Sequence, residues 1–205
     1  MGDVMKLNLV SIGACAALAL SGFVGAAQAD EGGFYVSVGG GLVWNDDVEA
    51  AGSTLDFDSG YSINAAIGYQ TADDPDGGRI RGEIDVFYTD ADNDTFTTGG
   101  VSTNVGGGLE QTGIMASGYL DFLPGSVVRP YVGAGFGIVD TKLSVSVPGF
   151  SASADGTELA YRLAAGASYQ ITDRVAFDLG YRYLVVNTDS EIDSQSVVAS
   201  LRYGF

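Results

Sequence analysis

The sequence predicts an all-β fold: an eight-stranded, antiparallel, up-and-down β-barrel that is transmembrane. Three observations predict it. Apolar and polar residues alternate with period two in eight stretches between Phe34 and Phe205. Tight and long connections take turns between these stretches. Within the stretches, charges share one face and aliphatic residues the other, with hardly a lysine to coat a water-facing surface.

Composition narrows the function classes. A chain of 205 residues is expected to form one main domain. The balance of 9 Lys+Arg against 26 Asp+Glu gives −17, which argues against nucleic acid as a partner. Histidine is absent, which removes the commonest general base and metal ligand. The single cysteine, Cys15, lies in the apolar leader, so no disulfide or thiol chemistry is expected of the mature chain. No cofactor is expected.

The leader is residues 1–29. Lys6 precedes a largely apolar run, LNLVSIGACAALALSGFVGA, which is followed by Ala27-Gln28-Ala29. A small-x-small triplet predicts secretory cleavage between Ala29 and Asp30, leaving residues 30–205 as the barrel domain. An uncleaved anchor and lipid attachment at Ile12-Gly13-Ala14-Cys15 are the alternatives; the lipid site would leave a long apolar stub before Asp30. Met5-Lys6-Leu7 looks more like a signal start than Met1-Gly-Asp, so translation from either Met1 or Met5 fits.

The predicted strands are Phe34–Trp44, Gly60–Gln70, Arg79–Asp90, Leu109–Phe122, Val128–Asp140, Glu158–Ile171, Val175–Asn187 and Ser194–Phe205. Each is near or above the ~9–11 residues that a tilted strand needs to span a bilayer. No stretch after the leader sustains a helical period, and glycines recur throughout. Leu123–Ser126 and Thr172–Arg174 read as tight turns, while Asn45–Ser59, Asn93–Gly108 and Ser144–Thr157 read as long polar loops. Two connections fit the alternation poorly: Thr71–Gly78 is long for a turn, and Thr188–Asp193 is short for a loop.

The faces decide the environment. In the third strand Ile80, Gly82, Ile84, Val86 and Tyr88 oppose Arg79, Arg81, Glu83, Asp85 and Phe87. In the sixth, Leu159, Tyr161, Leu163 and Tyr169 oppose Arg162 and Ser168; in the seventh, Val175, Phe177, Leu179 and Tyr181 oppose Asp178 and Arg182. A soluble barrel turns its apolar face inward and coats its exterior with charge. Yet six of the eight basic residues after the leader lie on strands, on the non-apolar side, and Lys142 is the one lysine. An apolar face toward lipid and a charged face toward the lumen satisfy both facts. Closure is then required, because hydrocarbon leaves no unpaired edge satisfied.

Aromatic residues fall near strand ends, as interfacial girdles would require. Trp44, Tyr61, Tyr88 and Tyr161 mark the loop end; Tyr69, Phe122, Tyr169, Phe177, Tyr203 and Phe205 mark the turn end. The final stretch SVVASLRYGF alternates to its last residue, which suits a closing strand paired with the first.

RPYVGAGFGI (129–138), YRLAAGASYQITDRVAFDLGYRYL (161–184) and LRYGF (201–205) resemble the eight-stranded outer-membrane beta-barrel superfamily. That group includes OmpA/OmpX-type barrels, opacity-type proteins and alphaproteobacterial surface antigens of the porin family. The resemblance spans roughly residues 30–205 and is strongest from Arg129 onward. It implies the outer membrane of a Gram-negative bacterium, with lipid, lipopolysaccharide and the outer-membrane insertion machinery as partners. It also implies that Leu201, Tyr203 and Phe205 form the assembly signal. The chain ends at the barrel, so the peptidoglycan-binding domain that OmpA proteins carry behind theirs is not expected.

The lumen network is predicted from Arg79, Arg81, Glu83, Asp85, Asp121, Arg129, Arg162, Asp178, Arg182 and Arg202. Eight strands leave a lumen just wide enough for side chains to fill, and guanidinium–carboxylate pairs suit that space. This favours a plug; a narrow ion path is the alternative. The glycines of Gly39–Gly41, Gly106–Gly108 and Gly133/Gly135/Gly137 lack the context of a nucleotide loop. They are expected to let the sheet bend or to clear lumen space for arginines.

Asp90-Ala-Asp92-Asn-Asp94 begins like a calcium loop, but Thr95 stands at position six and Val101 at position twelve. The acids Asp46, Asp47, Glu49, Asp56, Asp58, Asp92 and Asp94 are expected to keep the loops solvated and to face host or surface ligands, with loose collection of divalent cations near an anionic lipid surface as the alternative. No metal site is assigned.

The expected function is a non-enzymatic surface protein with an envelope-structural or adhesive role. A narrow porin or channel is the alternative. A lipid-modifying enzyme is disfavoured, because its nucleophile is generally activated by histidine.

Overall fold

The computed structural model describes residues 32–45, 48–50, 53–57, 59–74, 76–98, 101–104, 106–147, 150–187 and 192–205. The leader, with Cys15, Ala27, Ala29 and Asp30, lies outside the described residues, as do Asp46, Asp47 and Asp58. The strands are β1 (Gly33–Asn45), β2 (Val48–Ala50), β3 (Ser53–Phe57), β4 (Gly60–Gln70), β5 (Arg79–Thr98) and β6 (Val101–Asn104), followed by β7 (Gly106–Asp121), β8 (Val128–Val147), β9 (Phe150–Gln170), β10 (Val175–Val186) and β11 (Ile192–Gly204).

Eight of these strands, β1, β4, β5 and β7 to β11, form a closed antiparallel barrel. Its closing seam joins β1 to β11, from Tyr35 opposite Gly204 to Asn45 opposite Ser194. Each wall strand therefore has a neighbour on both sides, the arrangement hydrocarbon demands of a backbone with no water to bond.

The long polar loops are where the strand boundaries expected from sequence depart from the structure. β3 continues the line of β4 along β5, pairing Ser53 with Thr98, and β6 continues the line of β7 on the other side of β5, pairing Thr95 with Asn104. The β8–β9 ladder is unbroken to Val147 opposite Phe150. Most of the segments read as loops are thus strand extensions. Their sequences, STLDF, TFTT, VSTN and SVSV, are rich in β-branched residues. Once a hairpin has started, each further rung satisfies two more backbone groups. Their polarity marked exposure to water, not an end to the strand.

The two awkward connections also resolve. Thr71–Gly78 is closed internally, with Asp74 N–H donating to the Gly78 carbonyl at 3.0 Å and Gly78 N–H donating back at 2.8 Å. At the opposite end Val186 pairs with Ile192, so that loop is short because its strands run nearly to its tip.

Exposure follows the predicted parity. Ile80, Ile84, Leu163 and Leu179 are exposed on the outer wall, and Phe136 is 73% exposed. Arg81, Asp85, Asp121 and Arg162 are buried in the lumen. The turn-end girdle gains Phe34, whose ring meets Tyr69 edge-on at 5.2 Å. At the loop end Tyr61 and Tyr88 lie with centroids 6.1 Å apart, and both hydroxyls donate to Asp90. Such rings place an apolar body on the wall and a polar tip in water.

Candidate functional site in the barrel lumen

Inward positions recur every second residue, so each strand delivers its polar side chains to the lumen. At the turn-end mouth, Asp73 accepts from Arg79 Nε at 2.7 Å and forms an ion pair with Arg129 at 3.1 Å. Its other oxygen accepts the N–H of Gly125 at 3.2 Å, tying the 71–78 connection to the β7–β8 turn. Sequence reasoning missed Asp73, because a turn residue has no strand parity to read.

Deeper in the lumen, Arg81 donates from Nε to both Asp121 oxygens at 2.9 Å and pairs with Glu83 at 3.2 Å. Its guanidinium also lies over two rings, 4.7 Å from the centroid of Tyr119 and 5.1 Å from that of Tyr131. Glu83 accepts the Tyr35 hydroxyl at 2.7 Å. Arg202 is held by Asp178 at 3.3 Å, Ser168 at 2.7 Å and Gln70 at 3.1 Å. Arg162 makes a two-pronged pair with Asp85 and donates to Ser117 at 2.7 Å. Buried charges persist only when paired and bonded in this way.

Arg182 differs from the other predicted members of the network. It faces the lumen half-buried, and no hydrogen bond or ion pair reaches it among the described residues. The set read from sequence therefore comes together without Arg182 and with Asp73 added.

An apolar cluster replaces charge further along the same strands. Phe87, Met115, Val139, Ala160, Leu184 and Val186 are buried together. Phe87 follows Asp85 on β5, Val139 follows Tyr131 on β8, and Leu184 and Val186 follow Arg182 on β10. The ion pairs thus lie toward the turns, and toward the loops the apolar cluster shares the lumen with buried Thr89, Gln111, Thr141 and Ser194. Parity had put Phe87 inside, but nothing local grouped it with four other strands.

Of the inward glycines in the clusters read from sequence, Gly133 makes room for a ring, while Gly39 meets Ser200, Gly135 meets Ser117 and Gly137 meets Met115; other inward glycines also face rings. Tyr35 stands directly across from Gly68, Phe87 from Gly113, Tyr119 from Gly133 and Tyr131 from Gly166. In each pair, a Cβ on the glycine would run into the partner's ring. Tyr131 extends over Gly180 on the next strand as well. The signal was present as an inward aromatic with a glycine opposite, but it needs the register before it can be read.

The other predicted residues are placed as follows. Leu201 and Tyr203 are exposed on the outer wall, and Phe205 meets Tyr203 edge-on at 5.5 Å. Asp90 accepts from tyrosines on the exterior, and Asp92 is exposed. Glu49, Asp56 and Asp94 sit in or beside the outer hairpins on the backbone. Among the described residues no group of three or more acidic or cysteine side chains is arranged to hold a metal.

Residues 14–205 match the family described as outer membrane protein beta-barrel domain. Outer membrane protein PagN of Salmonella typhimurium is 33% identical over 136 residues, which is 60% of this chain and 56% of PagN. The chain thus spans little more than half the length of that relative. Neisserial surface protein A aligns at 26% identity with a TM-score of 0.57, over 84% of this chain and 97% of that one. OprG of Pseudomonas aeruginosa aligns with a TM-score of 0.59 at 16% identity, over 86% of this chain and 97% of its own, a likeness of fold alone.

Proposed function

The chain belongs to the outer membrane protein beta-barrel domain family, and from that premise we propose that it is a non-conducting, non-enzymatic anchor. It holds its outer hairpins at the surface of a Gram-negative cell, in an envelope-structural or adhesive role. The observation that carries this reading is the double filling of the lumen: interlocked arginines and carboxylates first, then the cluster around Phe87, Met115 and Leu184. An aqueous path would have to cross both.

The outer wall, with Ile84, Phe136 and Leu179 exposed, contacts membrane lipid. Lipopolysaccharide on the outer leaflet and the insertion machinery that seats the barrel are the further partners of this reading. Exposed acids on the loop-side strand ends, Asp92, Glu110 and Asp155, support a role in which basic host or envelope ligands are met there. A lipid-modifying enzyme finds less support, because a chain with 0 His offers none to activate a nucleophile.

Purified barrel in a planar bilayer tests the reading. Rare, small openings at most are expected. Steady, ion-selective conductance would replace the anchor with a narrow channel. On cells, replacing 144–157 by a four-residue turn should reduce attachment to host surfaces if the role is adhesive. If the role is structural, attachment should stay and detergent sensitivity should rise.

A further inference from the structure

We propose that the lumen holds one small monovalent anion, a halide, against Arg182. Between the turn-end mouth and the apolar cluster, six arginines (Arg79, Arg81, Arg129, Arg162, Arg182 and Arg202) face five carboxylates (Asp73, Glu83, Asp85, Asp121 and Asp178). Glu158, another lumen-parity acid, lies outward of Ala160, beyond that cluster. The excess is one positive charge. Arg182 is the arginine of this set with no carboxylate partner among the described residues, whereas Arg79 and Arg129 share Asp73 and Arg81 takes both Asp121 and Glu83.

Arg182 borders a cavity of about 30 Å³ with Ser62, Asn64, Gln111, Phe87 and Val198 on its walls. Three of those wall residues present buried polar atoms that no protein group satisfies: Ser62 Oγ, Asn64 Oδ1 and Gln111 Nε2. Gln111 is 1% exposed, and its carbonyl oxygen accepts from Thr89 and Ser194, each at 3.3 Å. With the amide placed so, its N–H₂ is the end without a protein partner.

A guanidinium, an amide N–H₂ and a hydroxyl are all donors. The Asn64 amide adds a fourth when turned over, since its oxygen and nitrogen are interchangeable by rotation. Donors without partners beside an unpaired cation describe an anion site. Its size sets the class of ligand. A water needs at least about 10–15 Å³, so a cavity of this volume suits a small monatomic ion before a polyatomic one. An uncompensated charge in so narrow a lumen is costly, and a halide removes that cost where no carboxylate among the described residues pairs with Arg182. The site stands apart from the surface role, and its test does not read conductance.

Full-chain barrel refolded in bromide and crystallised should show one anomalous peak between Arg182 and Gln111. Arg182→Met should abolish it. At constant ionic strength, the unfolding midpoint of the wild type should rise with bromide or chloride against gluconate, because the ligand binds the folded state. Arg182→Met should lose that dependence. If Arg182→Met fails to insert, Gln111→Leu keeps the cation and should weaken the halide dependence at least threefold in apparent affinity. Water alone in the wild-type cavity overturns the proposal. So does a bromide peak that survives Arg182→Met, or a halide dependence untouched by Gln111→Leu.

Discussion

Arg162 and Asp85 meet across the lumen through two parallel N–H···O bonds, although β7 and β8 lie between their strands in the wall. The pair braces the barrel where no backbone bond reaches. Arg162 is 4% exposed and Asp85 1%, so truncating one partner strands the other in a site closed to water. Arg162→Ala should lower stability by about 3–5 kcal/mol. Arg162→Met combined with Asp85→Leu should recover most of that loss, since it removes both charges. Urea unfolding of the inserted barrel, followed by its heat-modifiable mobility, measures both. A double variant no more stable than Arg162→Ala would mean that the pair is not a bracing unit.

Leu179 and Asp178 are neighbours in sequence on opposite faces of β10. Leu179 is 50% exposed on the outer wall, and Asp178 holds Arg202 at 3.3 Å. Leu179→Arg should cost about 2–4 kcal/mol near the bilayer midplane and reduce the inserted fraction. Asp178→Asn should leave the barrel inserted at a loss of about 1–3 kcal/mol, because Ser168 and Gln70 still hold Arg202. The opposite ranking would mean the faces are reversed.

Gly133 lies under the ring of Tyr119, which in turn flanks Arg81. Gly133→Val should displace that ring and cost about 1–3 kcal/mol by overpacking. Gly82 on the outer wall has nothing within 4 Å of an added Cβ. Gly82→Ala should stay within about 1 kcal/mol of the wild type. Equal midpoints for the two variants would show that the glycine opposite the ring has no packing role.

Phe205 closes the last strand beside Tyr203, and its N–H donates to the Phe34 carbonyl at 3.1 Å. Phe205→Asp should therefore cut the amount of inserted barrel in cells several-fold while leaving refolding in detergent closer to normal. Quantitative blotting of membrane fractions reads the first, and heat-modifiability the second. Wild-type levels in the membrane would remove Phe205 from the assembly signal.

Processing is the simplest proposal to check. Intact-mass measurement of protein taken from the outer membrane should place the mature N-terminus at Asp30, after Ala27-Gln28-Ala29. A lipid-modified Cys15 would instead make the chain a lipoprotein.

The sequence by itself determined which residues face lipid and which face the lumen, because side-chain direction in a strand repeats every two residues and is read along one chain. Ile84 outside and Asp85 inside needed no partner to be assigned, and the closing role of β11 followed from the same alternation. Tertiary structure alone decided how deep each inward residue lies and what stands opposite it. That depends on the stagger between strands, which closing the barrel sets for the whole sheet at once. Hence Asp85 found Arg162, Tyr119 found Gly133, and Phe87 joined Val139 and Leu184, while Arg182 was left beside a cavity. Asp73 entered the network from a turn, where period two carries no information. The strand extensions in the outer hairpins were hidden for a related reason. Ladders of polar residues in water keep their hydrogen bonds but lose the contrast between faces that makes a strand legible.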